Sequence, residues 1–327
     1  MNRSQLQSGR IATWGLSALC LAALGSARTA AAYAYVGNQL SGTVSIIDTA
    51  TDTVVRTLPA HGKIGAKIQA VVADRSERHI FVVDAAGNDL VELDAASGRV
   101  LKRIKVGKAP EGASLSPSGK TIAVCVEESN QVVLVDVASA RVTHVIHTLG
   151  KNPEHCEFNS DAHWMMTGNE NSGDVDIIDL RTDRSVARLP TAGHPRGVAW
   201  LPHRMIAYVA QESANGVNVI DAAKRRVIRF IPTALRAAGA IAAPDGKTVF
   251  VSNGGAGSIS AIDTATERVI ATIPVGKRPW NMAITHDGRK LYVANGRSNS
   301  VSVIDTTRMV VSKTIPVGKL PWGVDIP

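Results

Sequence analysis

Glu111, Glu154, His155, His194 and Arg196 bring together the side-chain types from which acid–base and metal sites are built. Carboxylates and imidazoles ligate zinc and calcium, and they are the usual proton donors and acceptors in hydrolysis. A bound metal ion held by Glu154, His155 and His194 beside Glu111 would support metal-dependent hydrolase or lactonase-like chemistry. The spacing names no metal, since neither His-x-x-x-His nor Cys-x-x-Cys occurs. Toward the C-terminus lies a different set: Arg236, Lys277, Arg278, Trp280, Lys319 and Trp322. Guanidinium groups beside indoles suit capture of a partly apolar ligand or a protein loop, with the tryptophans as anchors. In that role both tryptophans are expected to be replaceable by alanine with the fold intact; the alternative is that they simply cap the channel. No Gly-x-Ser-x-Gly elbow, phosphate loop or dinucleotide glycine pattern is present, so no catalytic residue and no cofactor is assigned. Gly254-Gly255-Ala256-Gly257 has no following helix and reads as a hairpin loop.

These residues are positioned by a repeat. An aspartate closes an apolar run at Asp48, Asp94, Asp136, Asp179, Asp221, Asp263 and Asp305, with successive differences of 46, 42, 43, 42, 42 and 42. The extra length of the first interval falls in residues 60–67. Short strands at this period predict a propeller with four strands per blade. The fold expected is therefore all-β, a seven-bladed β-propeller of four-stranded antiparallel blades over residues 33–327. Each aspartate is assigned a structural turn role, accepting a backbone N–H two residues on. Runs such as Ile80-Phe81-Val82-Val83 and Leu291-Tyr292-Val293 are apolar on both faces, as strands packed between neighbouring blades should be.

Repeat register predicts the lining of one channel mouth. Twenty-five positions before each aspartate stand Gln69, Glu111, Glu154, Arg196, Ala238 and Trp280, with Trp322 as the seventh. Ten positions before stand Asn38, Asp84, Val126, Asn169, Gln211, Asn253 and Asn295. One sector of this mouth is acidic, with Glu127, Glu170 and Glu212 near it, and the other is basic and aromatic. Residues 321–326 form a spare strand that completes the blade begun at Tyr33 and closes the ring.

Arg3 and Arg10, the apolar run from Ile11 to Leu24 and Ala30-Ala31-Ala32 read as a secretory signal peptide over residues 1–32, cleaved near Ala32. The mature chain is expected in the periplasm or secreted, with no membrane span. Without Arg3, Arg10 and Arg28 the net charge falls from +8 to +5, spread along the chain, which argues against a nucleic-acid partner. Cys125 and Cys156 fall on neighbouring repeats and are open to either a bridge or two buried thiols.

The Tyr-Val-x-Asn strands at 35–38 and 292–295, the Val-Ser-Val-Ile-Asp-Thr run and the Ile-Pro-Val-Gly-Lys-x-Pro turns resemble the YVTN-repeat β-propeller family, the YncE-like exported propellers. The closing Gly-Lys-Leu-Pro-Trp-Gly-Val also resembles a branch associated with quinone-cofactor-dependent alcohol catabolism. The resemblance implies the propeller fold throughout the mature chain and a partner in a periplasmic quinone-dependent oxidation system. It transfers no catalytic residues. Two readings stand: a non-catalytic binding or scaffolding protein engaging a ligand or protein at the mouth, and a metal-dependent hydrolase.

Overall fold

Residues 33–327 are described by the computed structural model. The expected signal peptide at 1–32 lies outside the described residues. Twenty-eight short strands, β1–β28, gather into seven four-stranded antiparallel sheets, so the seven-bladed reading holds. Blade 1 contains β1 (Tyr33–Asn38), β2 (Thr43–Asp48) and β3 (Thr53–Leu58). Each later blade takes four consecutive strands. Their innermost members are β4 (Ile68–Ala73), β8 (Pro110–Leu115), β12 (Pro153–Phe158), β16 (Pro195–Trp200), β20 (Ala237–Ala242) and β24 (Pro279–Ile284). The last strand, β28 (Pro321–Asp325), pairs with β1 through Tyr35↔Asp325, Val36↔Val324 and Gly37↔Gly323, and so supplies blade 1 with its inner strand.

Burial follows the apolar pattern. Second strands are buried almost throughout, whereas an outer strand such as β3 is exposed at every residue but Leu58. Apolar side chains from neighbouring blades meet in shared clusters, and each buried valine, isoleucine or phenylalanine contributes roughly 1.5–3 kcal/mol. Cys125 and Cys156 are both free and buried in one such cluster. Burial pushes the Cys156 thiol well up, so these cysteines serve as small apolar side chains.

All seven aspartates close turns. Asp48, Asp179 and Asp305 accept the N–H of Ala50, Arg181 and Thr307, two residues on. At Asp94, Asp136, Asp221 and Asp263 the short bond goes instead to the third residue, from Ser97, Ser139, Lys224 and Thr266. At Asp94, Asp136 and Asp263 a hydroxyl on that third residue adds a second bond.

The loops entering the inner strands and those leaving the second strands share one face of the ring. Glu127 N–H donates to Ala109 O, Gly254 N–H to Arg236 O and Gly296 N–H to Arg278 O. That face is the predicted mouth.

Candidate functional site

At the mouth, β8, β12 and β16 begin with Pro110, Pro153 and Pro195, and the next residue of each turns inward: Glu111, Glu154 and Arg196. Arg196 is the centre of the arrangement. Its guanidinium contacts Glu154, lies 3.7 Å from Glu111 and 3.4 Å from Glu170, and donates to Glu212 at 2.7 Å. Glu212 also takes Arg236 at 2.6 Å and Arg278 at 3.1 Å. Burial alone would lower Arg196, but the surrounding carboxylates more than reverse this and keep it charged.

Three guanidiniums thus face five carboxyl groups, and protons resolve the excess. Burial and the neighbouring Glu111 charge push Glu127 up to about 9. Burial likewise pushes Glu154 well up, Arg196 notwithstanding. Burial works against ionisation of Glu111 too, yet Arg196 and hydrogen bonds from Glu127 and Glu154 outweigh it and hold that carboxyl low. Glu212 is desolvated, but Arg196 and the two other arginines bring it down to about 2. Among the described residues no three His, Cys, Asp or Glu side chains are arranged to hold a metal ion. The space between the carboxylates that a cation would take is filled by a guanidinium.

The two candidate histidines do different things. His194 is exposed on the rim, its Nδ1 3.8 Å from Glu170. His155 is buried and stacks on Trp322, with ring centroids 5.4 Å apart and planes 10° from parallel. Its Nε2 is 3.1 Å from Asn281 Oδ1. Burial, with Arg196 adding, lowers it to about 4, so the ring is neutral at ordinary pH. His155 belongs to blade 4, Trp322 to blade 1 and Asn281 to blade 7, so these three bridge the channel just inside the arginine layer. Trp322 is therefore a plug and only 4% exposed, rather than a mouth anchor. Trp280 stays half-buried, with the Arg278 guanidinium 5.7 Å from its ring centroid.

Of the residues 25 before each aspartate, Glu111, Glu154 and Arg196 meet in one cluster, and the seventh of the set, Trp322, lies against His155. The set ten before does not line the channel. Asn38, Asn253 and Asn295 are fully buried, and each donates its amide to two hydroxyls of the third strand, as Asn295 does to Ser300 and Ser302. Asn169 donates likewise to Asp174 and Asp176. A buried amide must find partners, and the blade interior supplies them.

A feature missed from sequence lies six residues before each aspartate. Asn88, Asn130, Asn215 and Asn299 stand there with φ of 60, 52, 58 and 52°, and glycine stands there in the other blades. Each asparagine Oδ1 accepts an N–H from the next blade's entry loop, at Ala109, Asn152, Arg236 and Leu320. The alternation of asparagine with glycine was its visible signal, because these residues tolerate positive φ best.

A family model described as a YNCE-like beta-propeller matches residues 7–326. No curated protein matches. Among solved structures, the hydrazine synthase of Kuenenia stuttgartiensis is 20% identical with a TM-score of 0.70, covering 78% of this chain and 88% of that one. A functionally unknown protein from Desulfotomaculum acetoxidans DSM 771 is 11% identical with a TM-score of 0.77, covering 90% of this chain and 98% of that one. At such identities the likeness is one of fold.

Proposed function

Because this chain belongs to the YncE-like β-propeller family, whose model spans it almost end to end, we propose that it is a non-catalytic binding protein that engages an acidic protein partner at the mouth rim. The observation that carries this reading is the charge of the rim. Lys67, Lys108, Lys151, Arg236, Lys277 and Lys319 stand exposed on the loops that enter six of the seven inner strands, and His194 holds the place in the seventh. A ring of exposed cations around one mouth steers an oppositely charged partner, with Lys108 shared with Glu128 and Arg236 with Glu212. Exposed leucines sit among the cations on that face, Leu40 at 56%, Leu149 at 55% and Leu235 at 60%. Apolar side chains within a charged rim are what protein partners bury.

The hydrolase reading requires carboxylates free to take an ion, and Arg196 already neutralises them. The N-terminal segment's composition supports export. The closing Lys319-Leu320-Pro321-Trp322-Gly323 makes a component of a periplasmic quinone-dependent oxidation system the partner to test first. With that component purified, the triple charge reversal of Arg236, Lys277 and Lys319 to Glu should weaken binding at least tenfold. Raising salt from 50 to 300 mM should do the same to the wild type. Affinity unchanged by the triple reversal would overturn the rim as the docking surface.

A further inference from the structure

On the far side of the His155–Trp322 bridge the channel opens into a cavity of about 350 Å³. This is within the range of small-ligand sites, roughly 300–1,000 Å³. A second space of about 300 Å³ continues it toward the face opposite the rim, where Arg75, His286 and Pro327 stand at the opening. The space exists because inner strands crowd the axis with small residues. A Cβ on Gly112 would lie 2.4 Å from Glu154 O, and one on Gly197 2.7 Å from Ala240 N. The larger walls are aromatic or soft: Phe158, Trp200, Met282 and Trp322.

One carboxyl group faces this space without a partner. Glu157 lines both parts of the cavity, half-buried, and among the described residues its side chain has no ion pair and no hydrogen bond. Its backbone oxygen accepts from Trp200 Nε1 at 2.9 Å. The alternatives for neutralising it are all committed elsewhere. Asp325 is another acid, taking Ala73 N–H at 2.8 Å. His155 is neutral and bonded to Asn281, and His286 Nε2 lies 2.6 Å from Pro327 O. Arg75 donates to Pro117 O at the opening, and Arg196 is held in the carboxylate layer beyond His155. A lone carboxylate in a cavity lined by tryptophan and phenylalanine side chains is the composition that receives organic ammonium ions, through charge at one end and aromatic contact around it.

We propose that the lower channel binds a compact organic amine in its ammonium form, with Glu157 as its counter-ion and Trp322 and Trp200 among its walls. Burial, with the Asp325 charge adding, pushes Glu157 up to about 8, so it carries a proton at neutral pH. Ammonium binding then releases that proton to solvent. The apparent affinity should rise with pH, by about 100-fold from pH 6 to pH 9, and level off above pH 8. Asp325, pushed up to about 6 chiefly by burial, adds dependence only at the acid end.

The test is calorimetric titration of the mature chain with 2-phenylethylamine and with its neutral near-isostere 2-phenylethanol. The amine should bind at least tenfold more tightly at pH 8.5, and its affinity should follow the stated pH profile. Glu157→Gln should abolish both the preference and the profile above pH 7. The variant's urea midpoint should be no lower than wild type, because the replaced carboxyl has no partner to lose. Equal binding of the two compounds would make the cavity merely apolar and overturn the proposal. So would an unaltered amine affinity in Glu157→Gln, or no amine binding at pH 9 at millimolar concentration.

Discussion

Arg196→Ala would leave Glu111 and Glu154 desolvated with no guanidinium beside them, while Glu212 keeps Arg236 and Arg278. Removing one partner from a buried ion network costs about 3–5 kcal/mol, and urea unfolding should register that loss. The protonation pattern carries its own prediction. Glu127 stands near 9 in the folded chain, above its unfolded value, so folding retains a proton that the unfolded chain gives up above roughly pH 4.5. Stability should therefore decline as pH rises from 6 to 9. Glu127→Gln has no such proton to lose, and its urea midpoint should fall less over that range. Parallel curves would place the proton elsewhere. Trp322→Ala should cost about 3–5 kcal/mol, because a buried indole and its stack on His155 are lost together. The sequence left this tryptophan two roles, a mouth anchor dispensable to the fold or a latch that caps the channel. Its position in the repeat was readable, but its neighbours were not, since His155 lies 167 residues away across the ring.

The strands themselves were largely legible. Aspartates at a period near 42, runs apolar on both faces and a proline at the start of most inner strands left one architecture, and even β20, which begins with Ala237, pairs with its neighbour past an irregularity like those of β16 and β24. The site was legible only as a list of positions. Which residue at a given register faces the axis depends on the twist of each blade, and that is why Asn38 and its counterparts were expected at the mouth yet lie inside. The interblade asparagines give an element-level test. Asn130→Ala removes the acceptor for Asn152 N–H and places a Cβ-bearing, non-polar residue at φ 52°. The expected loss is about 1–3 kcal/mol, readable from denaturant midpoints. Asn130→Gly should recover part of it by relieving the backbone alone.

At the scale of the ring, division of labour follows depth along one axis. Cations cover the rim, a charge-compensated layer and an aromatic bridge seal the throat, and the open space lies beyond. Deleting residues 318–327 removes β28, exposes the inner edge of β1 and takes Trp322 from the throat. That truncation should abolish the cooperative unfolding transition rather than shift it. The closure also determines how the molecule bears load. Since β28 runs antiparallel to β1, the start of one lies beside the end of the other, with Tyr35 opposite Asp325. A pull applied between the two ends would peel this seam one hydrogen bond after another, instead of shearing all of them at once. The ring would thus yield at low force when pulled from both ends, and would hold far better when pulled from one terminus and a point on an opposite blade.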